Sequence, residues 1–439
     1  MKNRWGKKLL SALLTASIIC TCSACGKGAP TQTDGGTAAE TKDTAAISKE
    51  ATVINFWNGF GGADRTVLEK LVKQFNESQS DVYVNMEIMD WEIVYQKLAT
   101  SAASGEGPDF ICFGPENIAT YANMGAIVPI NDFYEENRVD KSLYPELFNR
   151  LIQYKGDYIG IPMNFFAHAL YYNKDLAAAA GLDADAPPTT WDEMSEWAVA
   201  MTDQAKGQYG MYIGTDWVNL VQYTWGAGGD IIDYDTKTAV INQPGAVEAV
   251  EYFRNLYVDK GVSPATGTNA GEMFTAGKLG MMVDGPWQAP QLKEAGINYG
   301  IVLMPAGPVK QVTFGAGLSY HLTKKGASDP AVKEGFYQFA QYWFEKDTQR
   351  QWSSEIGFPP VRTDLEDDEE LLKANPDVKI FMESNKIAQP WLIGIVNSQK
   401  ILNDVVIRYF DEVFLNKADV QEAMDSAAKD LDAILATER

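Results

Sequence analysis

The chain has 439 residues, too many for one hydrophobic core, and this length predicts two or three domains. Hydrophobic residues make up 46% of the sequence and charged residues 22%, as in globular proteins. The net charge is −22, and such an acidic chain lacks the basic patches that nucleic-acid binding requires. The 11 Trp and 20 Tyr residues exceed what a core needs and suit a site that stacks on flat apolar faces.

The first 24 residues have the pattern of a signal peptide. Four basic residues within 2–8 precede a short apolar run at 9–19, which is too short to span a membrane. The sequence CSAC at 22–25 resembles a bacterial lipobox, and the resemblance implies cleavage before Cys25 and a lipid anchor on its sulfur. Plain secretion without a lipid is the alternative.

Residues 25–50 are predicted to be a flexible, lipid-anchored tether. This stretch is rich in Gly, Ala, Thr and charge, and Ile47 is its single large aliphatic residue, so it cannot bury enough apolar surface to fold. Loss of Cys20 and Cys22 with the signal peptide, and lipidation of Cys25, would leave Cys112 as the one free thiol. Cys112 lies in an apolar run and is predicted to be buried.

An alternation of strands and helices begins at residue 53. Strands are predicted at 53–57, 82–88 and 110–113, each followed by a helical pattern, and this order implies a parallel sheet with helices on both faces. The Gly-rich loop at 58–64 is not a dinucleotide fingerprint, because Asp64 stands where the last Gly is needed. Its glycines are expected to let backbone N–H groups approach a polar ligand.

Polar and aromatic residues follow each of these three strands. Ligands of open α/β sheets bind outside the carboxyl ends of the strands, so this placement predicts a ligand site. The alternative is that Glu116 only stabilises a helix N-terminus. The residues concerned are Asn58, Phe60, Trp91, Glu116 and Asn117.

The middle of the chain contains an extended segment and a capped helix. Pro162 and the alternation through Tyr172 favour a strand that crosses from one lobe into another. Thr190 and Glu193 form a capping box, with Thr190 as the N-cap.

The order of short motifs along the chain resembles the extracellular solute-binding proteins of ABC sugar importers, of which the maltose-binding type is best known. The motifs are lipobox 22–25, FWN 56–58, GPD 107–109, YIGIP 158–162, YNKDL 172–176, TWDE 190–193, GKLGM 277–281, GPW 285–287, LTK 322–324, YW 342–343, QRQW 349–352 and GFPPVR 357–362.

The resemblance implies a two-lobed α/β fold of the periplasmic-binding-protein type, each lobe a sheet flanked by helices, with three hinge crossings. By the matching motifs, lobe one would hold residues 51–164 and 318–360, and lobe two residues 165–317 and 361–439. An amphipathic pattern from Val420 to Leu435 predicts a helix that packs on lobe two.

The resemblance also adds candidate ligand contacts. Trp287 matches the family's stacking tryptophan, and Phe166 stands where some relatives have a carboxylate. His168 is interpreted as a core histidine with satisfied hydrogen bonds, although a ligand contact is the alternative. The other candidates are Asp284, Trp217, Trp225 and Trp391, the two tryptophans at 217 and 225 in turn-like surroundings; Trp191, Trp197, Trp343 and Trp352 are assigned to the core.

The predicted function is capture of a mono- or oligosaccharide between the lobes and its delivery to ABC permease subunits. The protein is expected to be a monomer without catalytic activity, cofactor or metal, held by Cys25 at the outer face of a bacterial cytoplasmic membrane. That location would be the cell surface in a single-membraned host and the periplasm otherwise. The alternatives are a non-sugar solute such as a peptide or polyamine, and a secreted carbohydrate-active hydrolase.

Overall fold

Two mixed β-sheets, both covered by helices, organise the computed structural model, which describes residues 50–214 and 217–438 without the side chains of 102, 103 and 217–219. The predicted signal peptide, Cys25 and nearly all of the tether lie outside the described residues. The strands are β1 (Thr52–Asn58), β2 (Val82–Ile88), β3 (Phe110–Phe113), β4 (Gln153–Tyr154), β5 (Asp157–Tyr158), β6 (Ile161–Ala167), β7 (Ala169–Asn173), β8 (Tyr209–Met211), β9 (Ile232–Asp233), β10 (Thr238–Ala239), β11 (Leu279–Asp284), β12 (Tyr299–Val302), β13 (Thr313–Leu322) and β14 (Ala388–Gln389).

The helices surround these sheets, and short 3-10 turns, such as Pro115–Asn117 and Ala436–Glu438, extend several of them. The helices are α1 (Ala63–Ser78), α2 (Trp91–Ser104), α3 (Ile118–Asn123), α4 (Asn131–Glu135), α5 (Glu146–Leu151), α6 (Lys174–Ala179), α7 (Trp191–Ala200), α8 (Trp217–Gly226), α9 (Pro244–Arg254), α10 (Ala270–Thr275), α11 (Gln288–Glu294), α12 (Lys324–Ala327), α13 (Pro330–Trp343), α14 (Lys346–Ile356), α15 (Glu369–Ala374), α16 (Val378–Asn385), α17 (Ser398–Ile401), α18 (Arg408–Phe414) and α19 (Val420–Leu435).

The first sheet has the order β14-β13-β3-β1-β2, with β6 also paired to β13. β1 is parallel to β2 and β3, as the strand–helix alternation predicted, and β13 joins antiparallel to β3. Side chains of β3 alternate between two cores: Phe110 and Cys112 pack on one face and Ile111 and Phe113 on the other. The prediction of a buried Cys112 is confirmed.

The second sheet has the order β12-β7-β11-β8, and helices cover both of its faces as well. β7 runs antiparallel to β11 and β12, whereas β8 is parallel to β11. The core on one face extends to α19, so the predicted C-terminal helix on lobe two is confirmed. The capping box of Thr190 and Glu193 at the start of α7 is confirmed as well.

Two strands connect the sheets. β6 of the first sheet is followed after one residue by β7 of the second, and β13 returns the chain to the first sheet. β6 and β13 are antiparallel partners, and Asn164 pairs with Leu318, whose N–H donates to Asn164 Oδ1 over 3.0 Å. The predicted lobe boundaries at 164 and 318 fall on this pair; the boundaries themselves stay a prediction.

No helix within residues 50–214 and 217–438 has both the length and the apolar composition needed to cross a membrane.

Candidate functional site

A cavity of about 420 Å³ lies between the two sheets, beside the connecting strands. Its wall combines residues after β3 of the first sheet, residues at the ends of β8 and β11 of the second, and residues of β6 and β13. None of the lining residues is Lys or Arg. The lining residues are Gly114, Glu116, Phe166, His168, Tyr212, Thr268, Ala270, Val283, Asp284, Trp287, Phe314, Ala316, Gly317 and Leu318.

A second cavity of about 420 Å³ opens on the first lobe, near Ser101, Lys324 and Lys325, and has no aromatic residue in its wall. The cavity between the sheets is the stronger candidate site, because aromatic and polar groups converge there at the carboxyl ends of strands.

Glu116 occupies what we call the carboxylate corner, residues 114–117. Its side chain folds back over Gly114, where a Cβ would overlap both carboxylate oxygens. Asn117 Nδ2 donates to Glu116 Oε1 over 2.7 Å, and no ion pair of Glu116 occurs among the described residues. Burial raises the pKa of Glu116 from 4.5 to about 7, an effect that the Asn117 hydrogen bond opposes. This carboxyl group can therefore accept or donate hydrogen bonds near neutral pH.

Trp287 occupies the opposite wall, in what we call the tryptophan corner, residues 284–287. Its ring folds over Gly285, where a Cβ would overlap the indole. The indole meets Phe166 edge-on at 5.2 Å between ring centroids and Phe358 at 5.9 Å. These rings hold the partly exposed indole in one orientation, which is the arrangement needed to cover an apolar ligand face.

Asp284 ends β11 and begins the same corner. Its Oδ1 accepts the N–H of Gly285 over 2.7 Å and its Oδ2 accepts Gln288 Nε2 over 2.7 Å. These two hydrogen bonds help to fix the direction of the carboxylate at the cavity wall.

His168 lies between β6 and β7, in the wall of the cavity, and is 6% exposed. Its Nδ1 has no hydrogen-bond partner among the described residues, so the interpretation as a satisfied core histidine is wrong. Burial lowers the pKa of His168 to about 3, which keeps the imidazole neutral. A neutral imidazole offers one donor and one acceptor, which suits a hydroxyl group.

Four predicted residues lie in lobe one away from the cavity wall. Asn58 is fully buried and its Oδ1 accepts the N–H of Phe60 over 3.2 Å. Phe60 is a core residue whose ring lies edge-on to Trp91 and Trp352, because the loop turns its side chain inward. The Trp91 ring covers Gly59, so this glycine accommodates an indole rather than a ligand. The fourth, Asn117, is fully buried and contacts Glu116 instead.

The remaining predicted tryptophans are not part of the wall as far as the structure describes them. Trp225 is 1% exposed, lies on helix α8 rather than in a turn, and donates from Nε1 to Asp230 over 3.0 Å. Trp391 is 2% exposed in the core beside α19. An enclosed indole has no face left for a ligand, so we drop both from the site. Trp217 begins α8, and its side chain lies outside the described part.

Sequence reasoning missed several wall residues. Tyr212 directly follows β8, so the rule that placed Glu116 at a strand end could have found it. Phe314 and Leu318 belong to the connecting strand β13, and Thr268 lies in a loop before α10; no local signal marks these three.

Metal binding has no evident ligand set in the described ranges, where no group of three or more His, Cys, Asp or Glu side chains converges. In the acidic run at 364–370, Asp364 pairs with Arg362 and Asp368 with Arg350, so these carboxylates are neutralised by arginines.

Comparisons with known proteins agree with the two-lobed fold. A structure of an ABC transporter solute-binding protein from Thermotoga lettingae bound to α-D-tagatose is 23% identical, with a TM-score of 0.78 over 88% of this chain and 100% of that one. A Listeria monocytogenes ABC substrate-binding protein in complex with cycloalternan is 21% identical, with a TM-score of 0.81 over 88% of this chain and 99% of that one.

Among curated sequences, the sn-glycerol-3-phosphate-binding periplasmic protein UgpB of Brucella melitensis is 27% identical over 418 residues, which is 88% of this chain and 93% of that protein. The family model described as bacterial extracellular solute-binding protein matches residues 70–380. The chain therefore belongs to the bacterial extracellular solute-binding proteins.

Proposed function

We propose that this protein binds a mono- or oligosaccharide in the cavity between its lobes and delivers it to the permease subunits of an ABC importer. The observation behind this proposal is the wall itself: Trp287 and Phe166 supply aromatic surface, and Glu116, His168 and Asp284 supply polar groups. A pyranose matches both kinds of side chain in this wall, since it has an apolar C–H face for the aromatic rings and hydroxyls for the polar groups.

The proposed ligand is neutral rather than phosphorylated. A phosphate group is often bound by Arg or Lys, and the cavity wall contains two carboxylates and neither Lys nor Arg. The resemblance to UgpB therefore does not extend, in our proposal, to sn-glycerol 3-phosphate. Several solved relatives of the same fold hold neutral sugars, tagatose, maltose and mannotriose among them.

A second candidate is a cationic solute such as a polyamine, because the same two carboxylates could neutralise an ammonium group. The burial of Glu116 favours the neutral ligand, since a carboxyl group that is half protonated near pH 7 is a weak counter-ion.

Capture would be coupled to closure of the lobes about β6 and β13, because the ligand contacts both lobes only when they close. The protein would act as a monomer and return the ligand unaltered, without catalysis. A lipid on Cys25 would keep it at the outer face of the membrane, near the permease, with residues 26–50 as a tether.

Calorimetry of the mature chain against tagatose, maltose, mannotriose, sn-glycerol 3-phosphate and putrescine tests this proposal. We expect saturable binding of at least one neutral sugar and none of the phosphate ester. Trp287→Ala should weaken sugar binding by about 1–3 kcal/mol, as loss of an aromatic anchor does, and Trp287→Phe by less. Tyr83→Ala, a partly exposed residue of β2 outside the cavity, is the control.

Binding of putrescine or of the phosphate ester in preference to every sugar would overturn the neutral-sugar assignment. Release of smaller sugars from maltose or mannotriose by the purified protein would support the hydrolase alternative instead.

A further inference from the structure

A hydrogen-bonded contact connects the C-terminal part of the chain to the carboxylate corner. Gln399 Nε2 donates to Asn117 Oδ1 over 2.9 Å, and Asn117 Nδ2 donates to Glu116 Oε1 over 2.7 Å. Gln399 lies on α17, whose Ile401 packs in the core beside the second sheet, whereas Glu116 follows β3 of the first sheet. The contact therefore runs from one lobe into the other and ends at a wall residue of the cavity.

The direction of each hydrogen bond follows from the chemistry of the groups. When Glu116 is ionised its carboxylate only accepts, so Asn117 then turns its NH₂ group toward Glu116. Its oxygen then faces Gln399, which must donate. The Asn117 side chain is fully buried, so its oxygen has no water to replace Gln399. Donation by the Gln399 amide thus supports the orientation of Asn117 in which its NH₂ group faces Glu116.

Neighbouring contacts keep Gln399 in place. Thr120 Oγ1 donates to the carbonyl oxygen of Val396 over 2.6 Å, and lies 3.2 Å from Ser398 Oγ. At the end of the chain, the Glu438 carboxylate accepts the N–H groups of Val396 over 3.1 Å and of Asn397 over 2.5 Å. The segment before α17 is therefore attached to lobe one on one side and to the chain's C-terminal turn on the other.

We propose that Gln399 is a positioning residue of the cavity: its amide orients Asn117 so that Asn117 donates to Glu116 and fixes the carboxylate in the wall. Gln399 does not line the cavity, and it acts through Asn117. Because Gln399 belongs to the other lobe, the orientation of Glu116 depends on how the two lobes meet. The effect on ligand affinity rests on the proposed function above, whereas the effect on Glu116 itself does not.

Other ionisable groups face Glu116 among the described residues. They include the hydroxyls of Tyr95 and Tyr121, whose pKa values burial raises above their usual range, so both stay neutral. The two other ionisable groups of the cavity wall with an acid or imidazole side chain are Asp284 and the neutral His168. No Lys or Arg forms an ion pair with Glu116 in the part of the chain that the structure describes. Loss of the Asn117 donor should therefore be detectable in the titration of Glu116.

The first test needs no ligand. Glu116 is titrated by carbon-13 NMR of glutamate-labelled protein, its signal assigned by its absence in Glu116→Gln. Gln399→Met keeps the side-chain length and removes the donor, so the pKa of Glu116 should rise. The matched control is Gln421→Met, the same substitution at an exposed amide of α19, which should leave that pKa unchanged. An unchanged pKa in Gln399→Met would overturn the proposal.

The second test uses the sugar identified by calorimetry. Gln399→Met should weaken its binding by up to about tenfold, the effect of losing one oriented hydrogen bond, in the otherwise unaltered protein. In the Glu116→Gln background the same change should have little effect. If Gln399→Met weakens sugar binding equally in the unaltered protein and in Glu116→Gln, Gln399 affects the contact between the lobes and does not act through Glu116. Failure of every sugar to bind would overturn the proposed function while leaving the NMR result interpretable.

Discussion

The carboxylate corner and the tryptophan corner each place one side chain in the cavity wall just after a strand ends, but the two side chains differ in stiffness. Each follows a strand that ends at the cavity, and in each the site side chain folds back over a glycine of its own corner. The indole of Trp287 is a rigid plate held by other rings, whereas the carboxylate of Glu116 is a flexible group held by an amide. A steric change should therefore reduce ligand affinity strongly at the tryptophan corner. The carboxylate corner should respond to a change in protonation or in hydrogen bonding instead.

The largest expected effect is that of Gly285→Ala. The added Cβ would overlap the indole, which can move only by leaving its contacts with Phe166 and Phe358. We expect sugar affinity to fall by about 1–3 kcal/mol, as for removal of the anchor itself. Calorimetry measures this loss, with the melting temperature as a check that the protein is folded. Affinity equal to that of the unaltered protein would mean that the indole is not the anchor.

A smaller effect is expected from Glu116→Gln on the pH dependence of stability. The pKa of Glu116 is raised from 4.5 to about 7 in the folded protein, so the folded state binds more protons than the unfolded state between these values. Its contribution therefore lowers stability as pH rises through this window. The full shift corresponds to about 3 kcal/mol, and partial solvent exposure of Glu116 reduces this value. We therefore expect the stability of Glu116→Gln relative to the unaltered protein to be greater at pH 8 than at pH 4 by roughly 1–2 kcal/mol.

Urea unfolding at a series of pH values measures this difference. His168 has the opposite slope, because its pKa is lowered to about 3 and its neutral form becomes more favourable as pH rises. The comparison must therefore be between Glu116→Gln and the unaltered protein at each pH, with the exposed Glu92→Gln as control. Parallel stability curves would contradict the assignment of a partly buried, protonatable carboxyl group at 116.

The smallest effect is expected from Gly114→Ala. A Cβ here would overlap the Glu116 carboxylate, but a glutamate side chain can rotate away at a cost of about 0.5–1.5 kcal/mol. We expect a loss of sugar affinity below that of Gly285→Ala, measured in the same calorimetric series. A larger loss at Gly114 than at Gly285 would reverse the distinction between the two corners.

The contrast between local and distant contacts also explains how far the sequence could predict the structure. β3, the capping box at Thr190 and helix α19 depend on patterns within a few residues, and the structure has them where the patterns placed them. The positions of Glu116 and Trp287 at the cavity followed from the ends of strands and from the family resemblance.

Contacts over long sequence distances could not be predicted in this way. Trp225 lies beside glycines that suggest a loop, but it faces a core assembled from distant segments. Whether Nδ1 of His168 has a hydrogen-bond partner depends on which residues the connecting strands place beside it, and none of the described residues is a partner. Likewise, no pattern near Asn117 indicates Gln399, which is 282 positions away in the chain.

The antiparallel pair of β6 and β13 has a mechanical consequence. Phe166 and Leu318, which line the cavity, belong to the same two strands that join the sheets. Any bending of this ribbon must tilt residues of the cavity wall. The same strands therefore connect the sheets and form part of the cavity wall. A substitution that stiffens the ribbon should alter the shape of the cavity in the ligand-free protein.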